Sequence, residues 1–279
     1  QILADDFDVL SQGCGMPAEE IAKTFHALNS GTTAGFLVEA SEHVAASRDE
    51  AGTGFLVDSV DDRADQKGTG HWAVEAAFDL GVAVPTIAAA VQFRTLSAED
   101  RLRSDAMEDM AGDALHHSLS PDDVIPLIGS AVACAMASAF AQGFSLIGAA
   151  KDDFGAKIDR RRVALLWRSG CILRGEMVNG IADSLDREPE CFDSLRSDWF
   201  QPLVAKGVEP LRDMLTAALS VGLPVPGLSS AAGYVDALSQ SRLSTRFIQL
   251  QRDYFGDHGF RRIGQDVLVH GPWHRDDDP

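Results

Sequence analysis

The second half of the chain repeats the first at an offset of about 140 to 150 residues, the kind of fixed period that marks a duplicated structural unit. Asp152-Asp153-Phe154 matches Asp5-Asp6-Phe7, and Val163-Ala164-Leu165-Leu166-Trp167 stands where Ile21-Ala22 and Phe25 stand. Gly222-Leu223-Pro224-Val225-Pro226-Gly227-Leu228-Ser229-Ser230-Ala231 matches Gly81-Val82-Ala83-Val84-Pro85-Thr86-Ile87-Ala88-Ala89-Ala90. Almost no segment alternates apolar and polar residues with period two, so the repeated unit is helical. The expectation is an all-α chain of duplicated multi-helix units around long buried central helices, with an extended C-terminal tail. Repeat one covers about 1–145, repeat two about 146–243 and the tail about 244–279. With 279 residues, 45% of them hydrophobic, there is ample apolar surface for one large core or two modest ones.

Helix signals place the elements. Residues 1–10 read as the middle of an amphipathic helix with neither a cap nor an initiator Met, so a segment is expected upstream. Gly13-Cys14-Gly15 closes it, and Pro17 with Ala18-Glu19-Glu20 opens a helix carrying Ile21, Ala22, Phe25 and Leu28 on one face. A third helix is predicted over about 33–47, a brief strand at Phe55-Leu56-Val57, a helix over about 72–80 and another over 86–94. The Ala- and Ser-rich run from Ile125 to Ala150, interrupted by Gln142 and Gly143, reads as a helix buried on all sides. His116-His117 reads as solvated surface, because no carboxylate–histidine helix pattern surrounds the pair.

The formal charge of −18 argues against a nucleic-acid binder, which needs a basic face. Cys14, Cys134, Cys171 and Cys191 form no CxxC pair or zinc spacing and fall among apolar residues, as expected of buried thiols in a reducing cytoplasm. No signal peptide is recognised, and no uninterrupted apolar run of about twenty residues suggests a membrane span.

Gln66-Lys67-Gly68-Thr69-Gly70-His71-Trp72 collects a cation, a hydroxyl, two glycines and an aromatic ring just ahead of a predicted helix. Lys67 offers a compact charge, Thr69 a hydroxyl, and the glycines leave backbone N–H groups approachable. Unpaired N–H groups at a helix start complete an anion site suited to phosphate. The same residues also suit a polar loop that does no more than cap a helix. Gly68-x-Gly70-x-x-Ala73 matches a dinucleotide fingerprint in letters only, since Asp61-Asp62-Arg63-Ala64-Asp65-Gln66 cannot be the buried strand that the fingerprint requires.

The tail holds the second informative stretch, Gln249-Leu250-Gln251-Arg252-Asp253-Tyr254-Phe255-Gly256-Asp257-His258. Together with Gln66-Lys67-Gly68-Thr69-Gly70, with Trp167-Arg168-Ser169-Gly170-Cys171-Ile172-Leu173-Arg174 and with Phe93-Arg94-Thr95-Leu96-Ser97, it resembles the decarboxylating 6-phosphogluconate dehydrogenase family in its C-terminal helical domain. The resemblance runs in order along the whole chain. It implies that Lys67, Thr69 and Arg94 bind the substrate phosphate, and that Arg252 and His258 reach the substrate from the tail of the partner subunit in a homodimer. It implies NADP (or NAD) as cofactor, 6-phosphogluconate as substrate, ribulose 5-phosphate as product and no metal.

Two features depart from the family pattern. His71 stands where the family carries Lys or Arg, and Gly259-Phe260-Arg261-Arg262 is looser than the usual tail. The family's Rossmann domain, its catalytic Lys and its proton donor would lie upstream of Gln1, so no catalytic residue is expected within these 279 residues and the chain alone is expected to be inactive. A stand-alone, non-catalytic helical dimer or sugar-phosphate-binding module is the alternative.

Overall fold

The computed structural model describes all residues except 66, 100–118, 154–157, 188–194, 196 and 274–279, together with the backbone alone of 151–153. His116, His117 and Cys191 therefore lie outside the described residues, as do Phe154 and the side chains of Asp152 and Asp153. The chain divides into two units, 1–235 and 236–279.

The described residues of the first unit are built mainly of helices. Its elements are α1 (Ile2–Asp8), α2 (Ala18–Leu28), α3 (Phe36–Ala46), α4 (Thr69–Asp79), α5 (Pro85–Ser97), α6 (Pro121–Asp153), α7 (Arg160–Trp167), α8 (Glu176–Arg187), α9 (Phe200–Ser220) and α10 (Pro226–Ser239). The all-α expectation holds. Helix starts recur at the spacing of the sequence repeat: Ala18 and Arg160, Phe36 and Glu176, Pro85 and Pro226. α2 buries Ala18, Ile21, Ala22, Phe25 and Leu28, the stripe its sequence displays. It packs on α3 as α7 packs on α8.

The two repeats meet at mated residues. Gly35 pairs with Gly175 in an antiparallel bridge, with Phe36 N–H donating to the Arg174 carbonyl at 3.0 Å and Glu176 N–H to the Ala34 carbonyl at 2.8 Å. A side chain at either glycine would crowd the opposite backbone: a Cβ at Gly175 would lie 2.6 Å from the Ala34 oxygen, and one at Gly35 2.9 Å from the Arg174 oxygen. The Arg174 guanidinium covers the Phe36 ring at 3.9 Å.

α6 is a single helix of 33 residues, about 50 Å long at the α-helical rise. By length and composition it would pass for a membrane span, although the sequence shows no unbroken apolar run. It is instead a core helix, burying Val124, Ile128, Ala131, Val132, Cys134, Ala135, Ala137, Ala141 and Phe144, and packing most extensively on α9. Gln142 does not interrupt it. This side chain is fully buried and satisfied across the fold: its Oε1 accepts from Thr86 N–H at 2.9 Å, while its Nε2 donates to Thr86 Oγ1 at 2.8 Å and to Ser138 Oγ at 3.1 Å. A polar residue that looked like a break in an apolar run is the cap of α5.

The start of α10 is capped differently. Asp5 Oδ2, buried on α1, accepts from Gly227 N–H at 2.7 Å and from Leu228 N–H at 3.0 Å, and Gln1 Nε2 donates to its Oδ1 at 2.8 Å. Burial pushes the Asp5 carboxyl up to about 6 against the opposing pull of these three donors. Asp6 beside it is fully buried, and neither of its carboxyl oxygens has a hydrogen-bond partner among the described residues. Burial, and then the neighbouring Asp5, hold its carboxyl well above the usual carboxylate range.

Three local expectations change. Phe55-Leu56-Val57 forms no strand: Phe55 makes one bridge to Arg48, whose guanidinium stacks on its ring at 4.0 Å, and the chain then turns into a 3₁₀ segment, Leu56–Ser59. α3 starts at Phe36 rather than about 33, because Gly31–Thr33 is a separate 3₁₀ turn and Gly35 is held by its bridge. Of the described cysteines only Cys134 is fully buried; Cys14 and Cys171 are half-buried free thiols.

The second unit contains the end of α10, then α11 (Thr245–Gly256) and a hairpin of two short strands, β1 (Phe260–Arg261) and β2 (Leu268–Val269), paired antiparallel with Phe260 opposite Val269.

Candidate functional site

α4 begins at Thr69, three residues earlier than its sequence suggests, and Gly68 and Gly70 are the reason. Gly68 adopts φ +91°, a left-handed conformation that suits glycine, and its carbonyl accepts the first helical bond from Trp72 N–H at 3.0 Å. Gly70 is a contact glycine within the first turn. A Cβ there would lie 2.8 Å from Val91 Cγ2, so its absence lets the start of α4 lie against α5. The unpaired N–H groups of this first turn belong to the motif itself.

The segment before α4 is tied to the end of α5. Ala64 N–H donates to Ser97 Oγ at 3.0 Å, and Ser97 Oγ donates to the Arg94 carbonyl at 2.8 Å. Gln142 holds the other end of α5 to α6. Between these anchors is a cavity of about 590 Å³, and Lys67, Thr69 and Arg94 all line it, with Gly70, Thr86 and Val91. Three of the five sequence-derived site residues therefore converge on one cavity, two of them cations in a protein of charge −18. Asp65 also lines it, a carboxylate that sequence reasoning did not assign to the site. His71 is an exposed neighbour, 4.0 Å from Glu75 one turn along α4.

A larger cavity of about 1240 Å³ shares Gln1, Ile2, Ile87 and Ala139 with this one. Its charged lining residues are Asp8, Asp58, Asp61 and Asp62, and the remainder is largely apolar. An anion would meet like charge there, so the smaller, cationic cavity is the candidate phosphate site.

The second unit carries Arg252 and His258, both exposed. Arg252, on the last turns of α11, donates to Gln249 Oε1 at 3.2 Å. Between them in sequence lies Asp253, fully buried and absent from the sequence-derived set although it stands inside the quoted tail motif. Its carboxylate gathers the unit: it accepts from Gly259 N–H at 2.9 Å, Gly271 N–H at 2.8 Å and Trp273 Nε1 at 2.9 Å, and lies 2.8 Å from His270 Nδ1. Burial opposes ionisation, but these partners outweigh it, Gly271 foremost, and hold the carboxyl down at about 2. His270 Nδ1 is also 2.7 Å from Asp257 Oδ1, and Trp273 packs edge-on against Tyr254 at 5.8 Å.

Residues 1–273 match the sequence profile of the C-terminal domain of 6-phosphogluconate dehydrogenase. The decarboxylating 6-phosphogluconate dehydrogenase of Lactococcus lactis subsp. lactis is 33% identical over 277 residues, which is 99% of this chain and 59% of that protein. The NADP(+)-dependent decarboxylating enzyme of Bacillus subtilis is 31% identical over 98% of this chain and 58% of its own length. The solved Plasmodium falciparum 6-phosphogluconate dehydrogenase superposes with a TM-score of 0.91 over 98% of this chain and 59% of that one, at 24% identity, and so shares its fold. The chain spans about three fifths of the length of the curated relatives it matches. Helical repeats, cationic cavity, tail motif and sequence likeness agree: the chain belongs to the family of the 6-phosphogluconate dehydrogenase C-terminal domain.

Proposed function

We propose that this chain is the substrate-binding and dimer-forming helical part of a decarboxylating 6-phosphogluconate dehydrogenase. The whole protein oxidises 6-phosphogluconate with NADP (or NAD) and releases carbon dioxide and ribulose 5-phosphate, in the cytoplasm and on the oxidative branch of pentose phosphate metabolism. The observation that carries this reading is the convergence of Lys67, Thr69 and Arg94 on one cavity beside the start of α4. A phosphate of nearly two negative charges finds there a point charge, a planar fork of donors, a hydroxyl and unpaired backbone N–H groups.

Among the described residues, Gly68 and Gly70 do not form a dinucleotide cradle. They follow an acidic, exposed segment rather than a buried strand, and the close approach of Gly70 is to Val91 of α5. The work assigned to this chain is binding and orientation: Lys67 and Arg94 neutralise the phosphate, Thr69 fixes an oxygen, and the substrate is held for chemistry supplied elsewhere in the enzyme. Its catalytic base, acid and cofactor site are assigned outside residues 1–279.

Arg252 and His258 complete the site in our reading from the tail of a second copy. Phe247, Tyr254, Phe255 and Ile263 of the second unit are 63%, 68%, 73% and 82% exposed. Burying such side chains against a partner gains about 1.5–3 kcal/mol each before the costs of association. A homodimer is the occupant that also gives the neighbouring Arg252 and His258 a purpose.

Calorimetric titration with 6-phosphogluconate tests the core of this reading. Lys67→Ala and Arg94→Ala should each weaken binding at least roughly tenfold, in keeping with the loss of a charge-assisted contact of about 1.5–3 kcal/mol, and moderate salt should weaken binding by the native chain. Unchanged affinity in both variants would remove the phosphate from this cavity. Sedimentation of the same chain tests the second copy, with a monomer at all concentrations standing against it.

A further inference from the structure

The end of α11 leaves one side-chain position empty, and a histidine occupies it. Arg252 and Gly256 are four residues apart on the helix, so they share a face. A Cβ built on Gly256 would lie 2.8 Å from His258 Nε2 and 2.9 Å from its Cδ2, which places the imidazole over the bare backbone of Gly256. The seat is therefore one helical turn from Arg252. The turn that returns the chain to it is held from within. Asp257 adopts φ +51° and donates its N–H to the Asp253 carbonyl at 2.9 Å, and Gly259 N–H reaches the Asp253 carboxylate. The residues flanking His258 are thus both fixed to Asp253, while His258 itself stays exposed.

We propose that Gly256 is a positioning residue: its missing side chain seats the His258 imidazole beside Arg252, so that the two form one edge for a sugar phosphate, with Asp253 holding the turn that delivers the ring. This rests on the reading of Arg252 and His258 as substrate ligands. Gly256 touches no substrate in this scheme and acts only through His258. Because the crowded atoms belong to a flexible side-chain end, a methyl at position 256 moves the ring rather than the backbone. Its φ is not in the left-handed region, so alanine is also compatible with the helix there.

The test is a double-mutant cycle in the polypeptide as its gene encodes it, assayed with 6-phosphogluconate and NADP and followed by thermal unfolding. Gly256→Ala should raise KM for 6-phosphogluconate by roughly threefold or more with an unchanged or higher unfolding midpoint. His258→Ala should raise KM further, and the double variant should match His258→Ala, since without the imidazole the methyl displaces nothing. Gly256→Ala with a native KM, or two effects that add, would overturn the positioning role while leaving His258 a ligand. If His258→Ala itself leaves KM unchanged, the ligand reading fails and the positioning role fails with it. A lowered midpoint for Gly256→Ala, persisting in the His258→Ala background, would assign the glycine to folding instead and also overturn the proposal.

Discussion

α5 and α10 occupy matching places in the two repeats, each starts at a proline, and a side chain from a distant helix caps one first-turn N–H of α5 and two of α10. The caps differ in kind. Gln142 serves α5 with a neutral amide, satisfied on both its oxygen and its nitrogen. Asp5 serves α10 with a carboxyl that burial pushes up to about 6. Thr86, the residue that Gln142 caps, lines the cationic cavity, where a second buried anion would compete with a bound phosphate. At α10 the acid meets an opposite partial charge, the helix N-terminus, and its cost is one of solvation. An amide caps without changing the field around a ligand, whereas a carboxylate ties both stability and field to pH.

The largest expected effect on ligand affinity comes from erasing this contrast. Gln142→Glu would give α5 the cap chemistry of α10. Thr86 and Ser138 can turn their hydroxyls to donate, so the carboxylate remains bonded, but it lies beside the candidate phosphate site. Affinity for 6-phosphogluconate should fall by about tenfold at pH 8, corresponding to roughly 1.4 kcal/mol of repulsion, and recover as the pH is lowered towards 5. A pH-independent loss would mean distortion rather than charge. Asp5→Asn makes the reverse change. The native Asp5 carboxyl binds its proton more tightly folded than unfolded, so stability from this group is greatest below about pH 4 and falls as pH rises from about 4 to about 6. The amide oxygen can keep both α10 bonds, and urea unfolding at pH 8 should show a gain on the order of 2–3 kcal/mol that vanishes by pH 4. A loss at pH 8 would mean that the ionised cap is worth more than its burial costs. The smallest effect tests how much redundancy the neutral cap carries. Ser138→Ala removes one of the two acceptors of Gln142 Nε2, the longer at 3.1 Å, and should cost about 0.5–1 kcal/mol without moving substrate affinity.

Much of this was legible from residue pattern. The repeat, the helical class, the apolar face of α2 and the gathering of Lys67, Thr69 and Arg94 all follow from spacing, motif and resemblance. The unread features share a cause: their partners are far away along the chain. Gln142 looked like a break because the groups it satisfies at Thr86 lie 56 residues earlier. Asp5 gave no sign that it caps a helix 222 residues on. Gly70 looked like part of a loop because contact with Val91, not its own flexibility, requires it. Asp65 entered the site by folding and Asp253 by a hydrogen-bond cluster that closes through residues 259–273; the motif contained Asp253 but not its office.

The Gly35–Gly175 bridge has a consequence for how the molecule assembles itself. A residue bonded to its own counterpart, with each flanking N–H answered by the mate's carbonyl, is the geometry of an isologous dimer contact. Here both copies lie on one chain, so the encounter is unimolecular and takes place at an effective concentration set by the connecting chain, on the order of millimolar, whatever the dilution. An association that separate copies would lose in a dilute cell extract has become part of folding. The two halves are therefore expected to stay together at protein concentrations where any contact between separate chains has dissociated.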